Sequence, residues 1–175
     1  MTEAQLSNAM DAYGSTVYRL ALTRMQNIAD AEDVYQEVFL RLWKQAVEDW
    51  DGDRAKAWLI RTTLNRCADL HRFHLRRPVL SFAEIPDLAQ PEDESRELWE
   101  AVSRLPEKAR TAVHLYYAEG YSAEEISQLM HIPAATVRTR LHRARKQLKE
   151  LLGGIDDETC VSRSDGTNFG PQRAE

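Results

Sequence analysis

Scarcity says more about this chain than abundance does. It has two cysteines, Cys67 and Cys160, far apart and with no CxxC pair or Cys/His cluster. That excludes a disulfide framework and a structural zinc site, and leaves Cys67 as a small packed residue. Seven glycines and little strict apolar–polar alternation argue against a sheet protein. No apolar run approaches the ~20 residues of a membrane-spanning helix. The N-terminal MTEAQLSNAMD lacks the basic and apolar regions of a secretory signal, so a cytoplasmic location is expected. There is no glycine-rich phosphate loop, and the histidines form no HExxH spacing. His71 and His74 lie one turn apart in a basic helix without a suitably placed Cys or acidic partner, and read as surface residues or contacts to a polyanion rather than as ligands. The expectation is a chain that is no enzyme and takes no cofactor and no metal.

What is present is helical pattern and charge in blocks. The 175 residues allow one medium domain or two small ones, and 43% apolar residues can build their cores. The net charge of −5 conceals strong segregation along the chain. Residues 28–53 carry eight acids and two bases, and 54–77 seven bases and one acid. Residues 84–100 return to seven acids and one base, and 131–152 to six bases and one acid. Two basic segments separated by an acidic one suggest two contact surfaces on a single polyanion.

The elements follow from capping and periodicity. Asp30 is the expected N-cap of a helix running through VYQEVFLRLWKQ, with Glu37 and Arg41 in the supportive i,i+4 order. Its apolar and aromatic residues, from Val34 to Trp43, exceed what one core contact requires, so some are expected to face another protein. Asp49 to Asp53 reads as a turn, and the next helix runs from Arg54 to the residue before Pro78, with a break expected near Asn65. Trp58 is expected in the core. Three prolines and mostly acids between Pro78 and Ser95 mark a linker. Helices are expected again over 96–105 and, after Pro106, over 107–118. Residues 1–77, 78–95, 96–152 and 153–175 thus read as a helical domain, a linker, a second helical domain and a tail without periodicity.

The stretch from Ser122 to Leu152 carries the sharpest signal. Ser122 and Glu125 match a capping box, His131 occupies the turn and Pro133 the start of the next helix. In that helix Val137, Leu141, Ala144, Leu148 and Leu151 share one apolar stripe. Arg138, Thr139, His142, Arg143 and Lys146 fall off it, on a basic face that suits the major groove. Arg140 and Arg145 are expected to turn toward the domain's own acids.

Together these segments resemble the sigma factors of the extracytoplasmic-function (ECF) type, initiation subunits of bacterial RNA polymerase. AEDVYQEVFLRLWK resembles the clamp-docking helix of region two, and AWLIRTTLNRCADLHR the part that engages the downstream promoter element. LPEKARTAVHLYYAEGYSAEEIS resembles the entrance to region four, and MHIPAATVRTRLHRARKQL its recognition helix. The four pieces occur in the family's order over residues 5 to 152.

The resemblance implies an all-α chain of two small helical domains, a region 2-like domain and a region 4-like helix-turn-helix, joined by a flexible linker. It places Arg138, Thr139, His142 and Arg143 toward the upstream element, with Thr136 near a phosphate and Lys146 on the same face. It gives Asn65 a flipped base of the downstream element, with Arg61, Arg66 and Arg72 on the strand backbone. Asp33, Gln36, Glu37 and Phe39 would face polymerase. The implied partners are core RNA polymerase through its clamp and flap, promoter DNA and an anti-sigma factor. The alternatives are a stand-alone helix-turn-helix regulator, and a sigma-like decoy, which should have lost Arg138 and Arg143.

Overall fold

Helix starts and stops in this chain are set by side chains that take up orphan backbone groups. The computed structural model describes residues 2–45, 52–76 and 93–153, with side chains in the last stretch from 97 onward. The helices are α1 (Glu3–Met25), α2 (Ile28–Lys44), α3 (Gly52–Arg76), α4 (Asp93–Ser103), α5 (Glu107–Val113), α6 (Ala123–Met130) and α7 (Ala134–Leu151). A π-helical turn, His114–Ala118, carries α5 onward. No strand occurs among the described residues, in keeping with the all-helical expectation. Thr2 with Gln5 closes a capping box on α1, and Ser122 with Glu125 closes the expected one on α6.

Three expectations are corrected. The α2 cap is Asn27, not Asp30, because the Asn27 side chain accepts the Asp30 N–H at 2.9 Å and starts the helix a turn earlier. Asp30 then lies in the first turn, where a carboxylate meets the positive end of the helix. The break near Asn65 does not form. Thr62, Thr63 and Leu64 are buried, and the Thr63 hydroxyl returns to the Leu59 carbonyl at 2.8 Å, so α3 runs unbroken past Asn65. The residues before Ser95 are not all linker, since α4 begins at Asp93. The rest of the expected linker and the tail from 154 lie outside the described residues.

Two apolar cores result. The first is enclosed by α1, α2 and α3 around Val17, Ala21, Val34, Val38, Leu42, Leu59 and Cys67. Trp58 packs on it from a half-buried position, and burial pushes the Cys67 thiol up to about 12. The helices approach closely at Gly14, where an added Cβ would lie 3.0 Å from the Tyr35 hydroxyl. The second core unites Leu105, Ala112, Leu115, Ile126, Val137 and Leu141 of the later helices with Leu20, Ile60 and Leu64 of the first half. Burying each of those three side chains contributes about 1.5–3 kcal/mol. The two halves therefore pack on one another, which a flexible link between separate domains did not anticipate.

His114 sits at this junction, buried, with Nδ1 3.2 Å from the Thr23 hydroxyl and Nε2 3.8 Å from Glu119. Burial holds its pKa below the ordinary 6.5; Glu119 opposes that shift and Arg19 adds to it. A histidine held below its unfolded value takes up its proton more readily in the unfolded chain, so stability is greatest above about pH 6.5 and falls as pH drops below it. Urea midpoints measured between pH 7.5 and 5.5 should show that decline, and His114→Gln should flatten it; equal slopes would remove His114 as the cause.

Candidate nucleic-acid and polymerase interfaces

The recognition helix is built as its periodicity requires. Val137, Leu141 and Ala144 are buried against the rest of the second half, while Leu148 is half-buried and Leu151 already largely exposed. Arg138, Thr139, His142, Arg143 and Lys146 are all exposed, and Thr136 is half-buried in the first turn. Pro133 occupies the cap position, and its carbonyl accepts the Thr136 N–H at 2.9 Å. Arg138 is held across the surface by an ion pair to Glu124 of α6, and the Thr139 hydroxyl bonds back to the Ala135 carbonyl at 2.9 Å. Arg143, His142 and Lys146 thus present the least encumbered donors.

Arg145 does turn back onto its own domain, but not to acids. Its Nε donates to the Tyr117 hydroxyl at 2.7 Å and its guanidinium lies over the Tyr116 and Tyr117 rings at 5.7 and 5.9 Å. Arg140 is half-buried.

On α3 the structure brings together only part of the expected set. Arg61 and Asn65 are exposed one turn apart in the middle of the helix, so Asn65 is neither a loop residue nor a helix cap. Arg66 and Arg72 instead line an open cleft of about 640 Å³ with Asp33, Asp69, Phe73 and Arg76. Arg72 is paired with Asp69. Phe73 and Arg76 were not singled out by sequence; their i+7 and i+10 spacing from Arg66 on an uninterrupted helix was the available signal. His71 and His74 are half-buried and each faces an acid, Glu107 at 3.8 Å and Asp30 at 3.6 Å, rather than an open surface. Both acids come from other helices, which linear spacing does not show.

The α2 edge separates cleanly into core and surface. Asp33 and Gln36 are exposed, and Glu37 accepts from Arg41 at 2.9 Å, which holds the Glu37 carboxyl below its ordinary value. Phe39 is a correction: at 3% exposure, with its ring 4.8 Å from that of Tyr35, it belongs to the core. It lies three residues before Leu42 and next to Val38, so the buried stripe is wide enough to include it. The surplus apolar surface falls on Leu40 and Trp43, 45% and 42% exposed.

Among the described residues no group of three or more His, Cys, Asp and Glu is placed to hold a metal, and no helix is long and apolar enough to cross a membrane.

A three-helix unit with an acidic and aromatic edge and a basic cleft, followed by a basic-faced helix-turn-helix, is the architecture of a sigma-70-type initiation subunit. The Sigma-70 region 2 family model matches residues 9–77, and the model for Sigma-70, region 4, matches 95–148. The chain is 34% identical over 161 residues to the ECF RNA polymerase sigma factor SigE of Mycolicibacterium smegmatis, covering 86% of this chain and 62% of that protein. It is 32% identical over 155 residues to the ECF RNA polymerase sigma factor SigM of Bacillus subtilis, covering 83% of this chain and 94% of that one. A crystal structure of the sigma factor RpoE of Bartonella quintana with the anti-sigma factor NepR shares its fold, with a TM-score of 0.73, 23% identity and coverage of 87% of this chain and 99% of that one. The chain belongs to the ECF RNA polymerase sigma factors, a family that performs no bond chemistry. It spans less than two thirds of the SigE length, at 62%.

The turn before the recognition helix is one of two places, with Gln26 after α1, where a residue other than glycine takes a left-handed backbone among the described residues. His131 adopts φ 52 and ψ 47, the left-handed region that favours glycine. Its N–H bonds to the Ser127 carbonyl, ending α6. A left-handed L-residue costs roughly 1–2 kcal/mol, and glycine's greater freedom when unfolded offsets part of the gain. His131→Gly is expected to stabilise the chain by about 0.5 kcal/mol in urea titration; a destabilised variant would mean that the imidazole makes a contact of its own.

Proposed function

We propose that the chain acts as an alternative sigma factor: it binds core RNA polymerase, recognises two promoter elements and licenses initiation from them. The observation that carries this reading is the outward basic face of α7 on a chain whose first half presents a separate polar and aromatic edge on α2. A single DNA-reading helix would suit many regulators; the second, differently charged surface calls for a protein partner.

In this reading Thr136, Arg138, Thr139, His142, Arg143 and Lys146 contact the upstream element. Arg61 and Asn65 on the open face of α3, with Arg66 and Arg72 in the neighbouring cleft, contact the downstream one. Since Asn65 stands mid-helix, it approaches DNA from a rigid rod rather than from a loop. Asp33, Gln36 and Glu37 meet the polymerase clamp, with exposed Leu40 and Trp43 supplying apolar area, and the second half meets the flap. The chain works in the cytoplasm and is regulated by an anti-sigma factor, as the RpoE relative is paired with NepR.

The test is transcription from genomic DNA by core polymerase with and without the purified chain, read as new start sites. No new start sites would overturn the reading. Replacing Gln36 and Glu37 by Ala should weaken binding to core polymerase while helicity is unchanged; full affinity would move the docking surface elsewhere. Arg143→Ala should weaken upstream-element binding by about 1–3 kcal/mol and relax the preference at one base pair. Uniform weakening across sequences, with a shallower salt slope, would assign Arg143 to a phosphate instead.

A further inference from the structure

Cations dominate the outward face of the helix-turn-helix, which makes the acids beside it informative. Two glutamates open α6. Glu125 is committed to the capping box, where its Oε2 accepts from the Ser122 N–H at 2.8 Å and from the Ser122 hydroxyl at 2.7 Å. Glu124 has no part in that box. It reaches across to α7 instead, where its Oε1 accepts from Nη2 of Arg138.

The pair lies in the open, with side-chain exposures of 60% for Arg138 and 61% for Glu124. Solvent and salt screen such a pair, and two long side chains must be ordered to make it, so it adds little to folding. A carboxylate on this surface also works against association, because it repels backbone phosphates. Its place in the first turn of α6 suits the positive end of that helix, with or without Arg138. That local role does not account for the partner it takes. Arg145, two turns further along α7, shows what a structural brace looks like. The neutral Tyr117 hydroxyl holds its Nε, and the rings of Tyr116 and Tyr117 lie under its guanidinium. The brace on Arg138 brings a charge as well.

The geometry of a guanidinium gives that brace a use. Arginine carries five N–H donors in one planar fork. Glu124 takes a donor on Nη2, which orients the fork and leaves Nη1, Nε and the second Nη2 hydrogen to a ligand. A guanine edge in the major groove offers N7 and O6 as paired acceptors to such a fork. An arginine without a brace reaches phosphate oxygens as readily, and those carry no sequence information.

We propose that Glu124 is a positioning residue that sets specificity: it holds Arg138 for a guanine of the upstream element and penalises binding that rests on phosphates alone. This rests on the sigma-factor reading and on the upstream contact assigned to α7. The pair is neutral as a unit, so Arg138 adds no net cation to indiscriminate association. At the right base Arg138 keeps Glu124 as a further acceptor. Moving to a phosphate instead strands the carboxylate beside a polyanion, a repulsive element that works against wrong sites.

The test keeps the full chain. Glu124→Gln preserves the reach of the side chain and removes its charge. The free variant should bind an unrelated duplex about threefold or more tighter, with a salt slope steeper by about one. Glu124→Asp, which retains the charge, should keep the shallower slope. With core polymerase, binding is then compared on a fragment from a start site that the chain creates and on copies with single base-pair changes. Glu124→Gln should lose about threefold or more of the discrimination at one guanine position. In an Arg138→Ala background the same change should leave discrimination there untouched, as action through Arg138 requires. Urea midpoints follow the first-turn role of Glu124 separately, since stability does not alter which base is preferred. Unchanged discrimination in Glu124→Gln would overturn the proposal while leaving the sigma reading intact. An equal loss with and without Arg138 would overturn it too, because Glu124 would then meet DNA itself. A wild-type chain that creates no start site would remove both readings.

Discussion

One guanidinium organises the junction on which the arrangement of this chain depends. Arg110 collects four backbone carbonyls, two from the end of α1, one from the end of α4 and one from the α4–α5 connection, at 6% exposure. Burial pulls its pKa below the ordinary value, with Glu107 opposing that shift, yet arginine remains charged at any physiological pH. A buried charge of this kind is tolerated only where its donors are matched, and the helix terminus matches them. Remove the carbonyls and Arg110 must find water; remove Arg110 and the Thr23 and Arg24 carbonyls at the end of α1 lose its donors, leaving only the Gln26 N–H to cap Leu22. The two halves are therefore coupled by backbone chemistry as well as by the apolar contacts of Leu20, Ile60 and Leu64.

That coupling leaves the surfaces proposed for function outside the junction. The exposed face of α7 points away from its buried Val137–Leu141–Ala144 stripe. The α2 edge of Gln36, Glu37, Leu40 and Trp43 belongs to a helix packed on α1 and α3 through its opposite side. Each helix thus spends one face on stability and keeps another for partners. The charge segregation along the chain becomes intelligible in these terms: the basic run of α3 supplies both the cleft proposed to meet DNA and, through the pairing of Lys56 with Glu119, a polar link between the two halves.

Much of the fold was legible in the sequence because local rules decided it. The Ser122–Glu125 capping box, the left-handed His131, the start of α7 after Pro133 and the buried stripe of α7 need nothing beyond their own neighbours. Where distant residues decide, the sequence was silent or misleading. Asn65 suggested a break, but Thr62, Thr63 and Leu64 are buried, Leu64 in the core of the second half, and α3 continues past them unbroken. Phe39 looked like surplus aromatic surface until Tyr35 and the core of α1 and α3 covered it. His71 and His74 lacked acidic partners in sequence and have them across helices. The junction itself left no periodic trace, because Leu20, Ile60 and Leu64 satisfy an ordinary helical stripe whichever neighbour they bury against. Of the surfaces proposed for function, the α7 face was legible residue by residue, whereas the α3 cleft with Phe73 and Arg76 depended on an unbroken helix that the sequence did not reveal.

The most direct measurement is equilibrium binding of one promoter fragment, taken from a start site that the chain creates, to the chain alone and to the chain with core polymerase. Two weak surfaces held together by a polymerase should bind the fragment about tenfold or more tighter than the free chain does, because each contact raises the effective concentration of the other. Equal affinity with and without polymerase, on a palindromic site and with dimer stoichiometry, would contradict a sigma factor and identify an ordinary helix-turn-helix regulator.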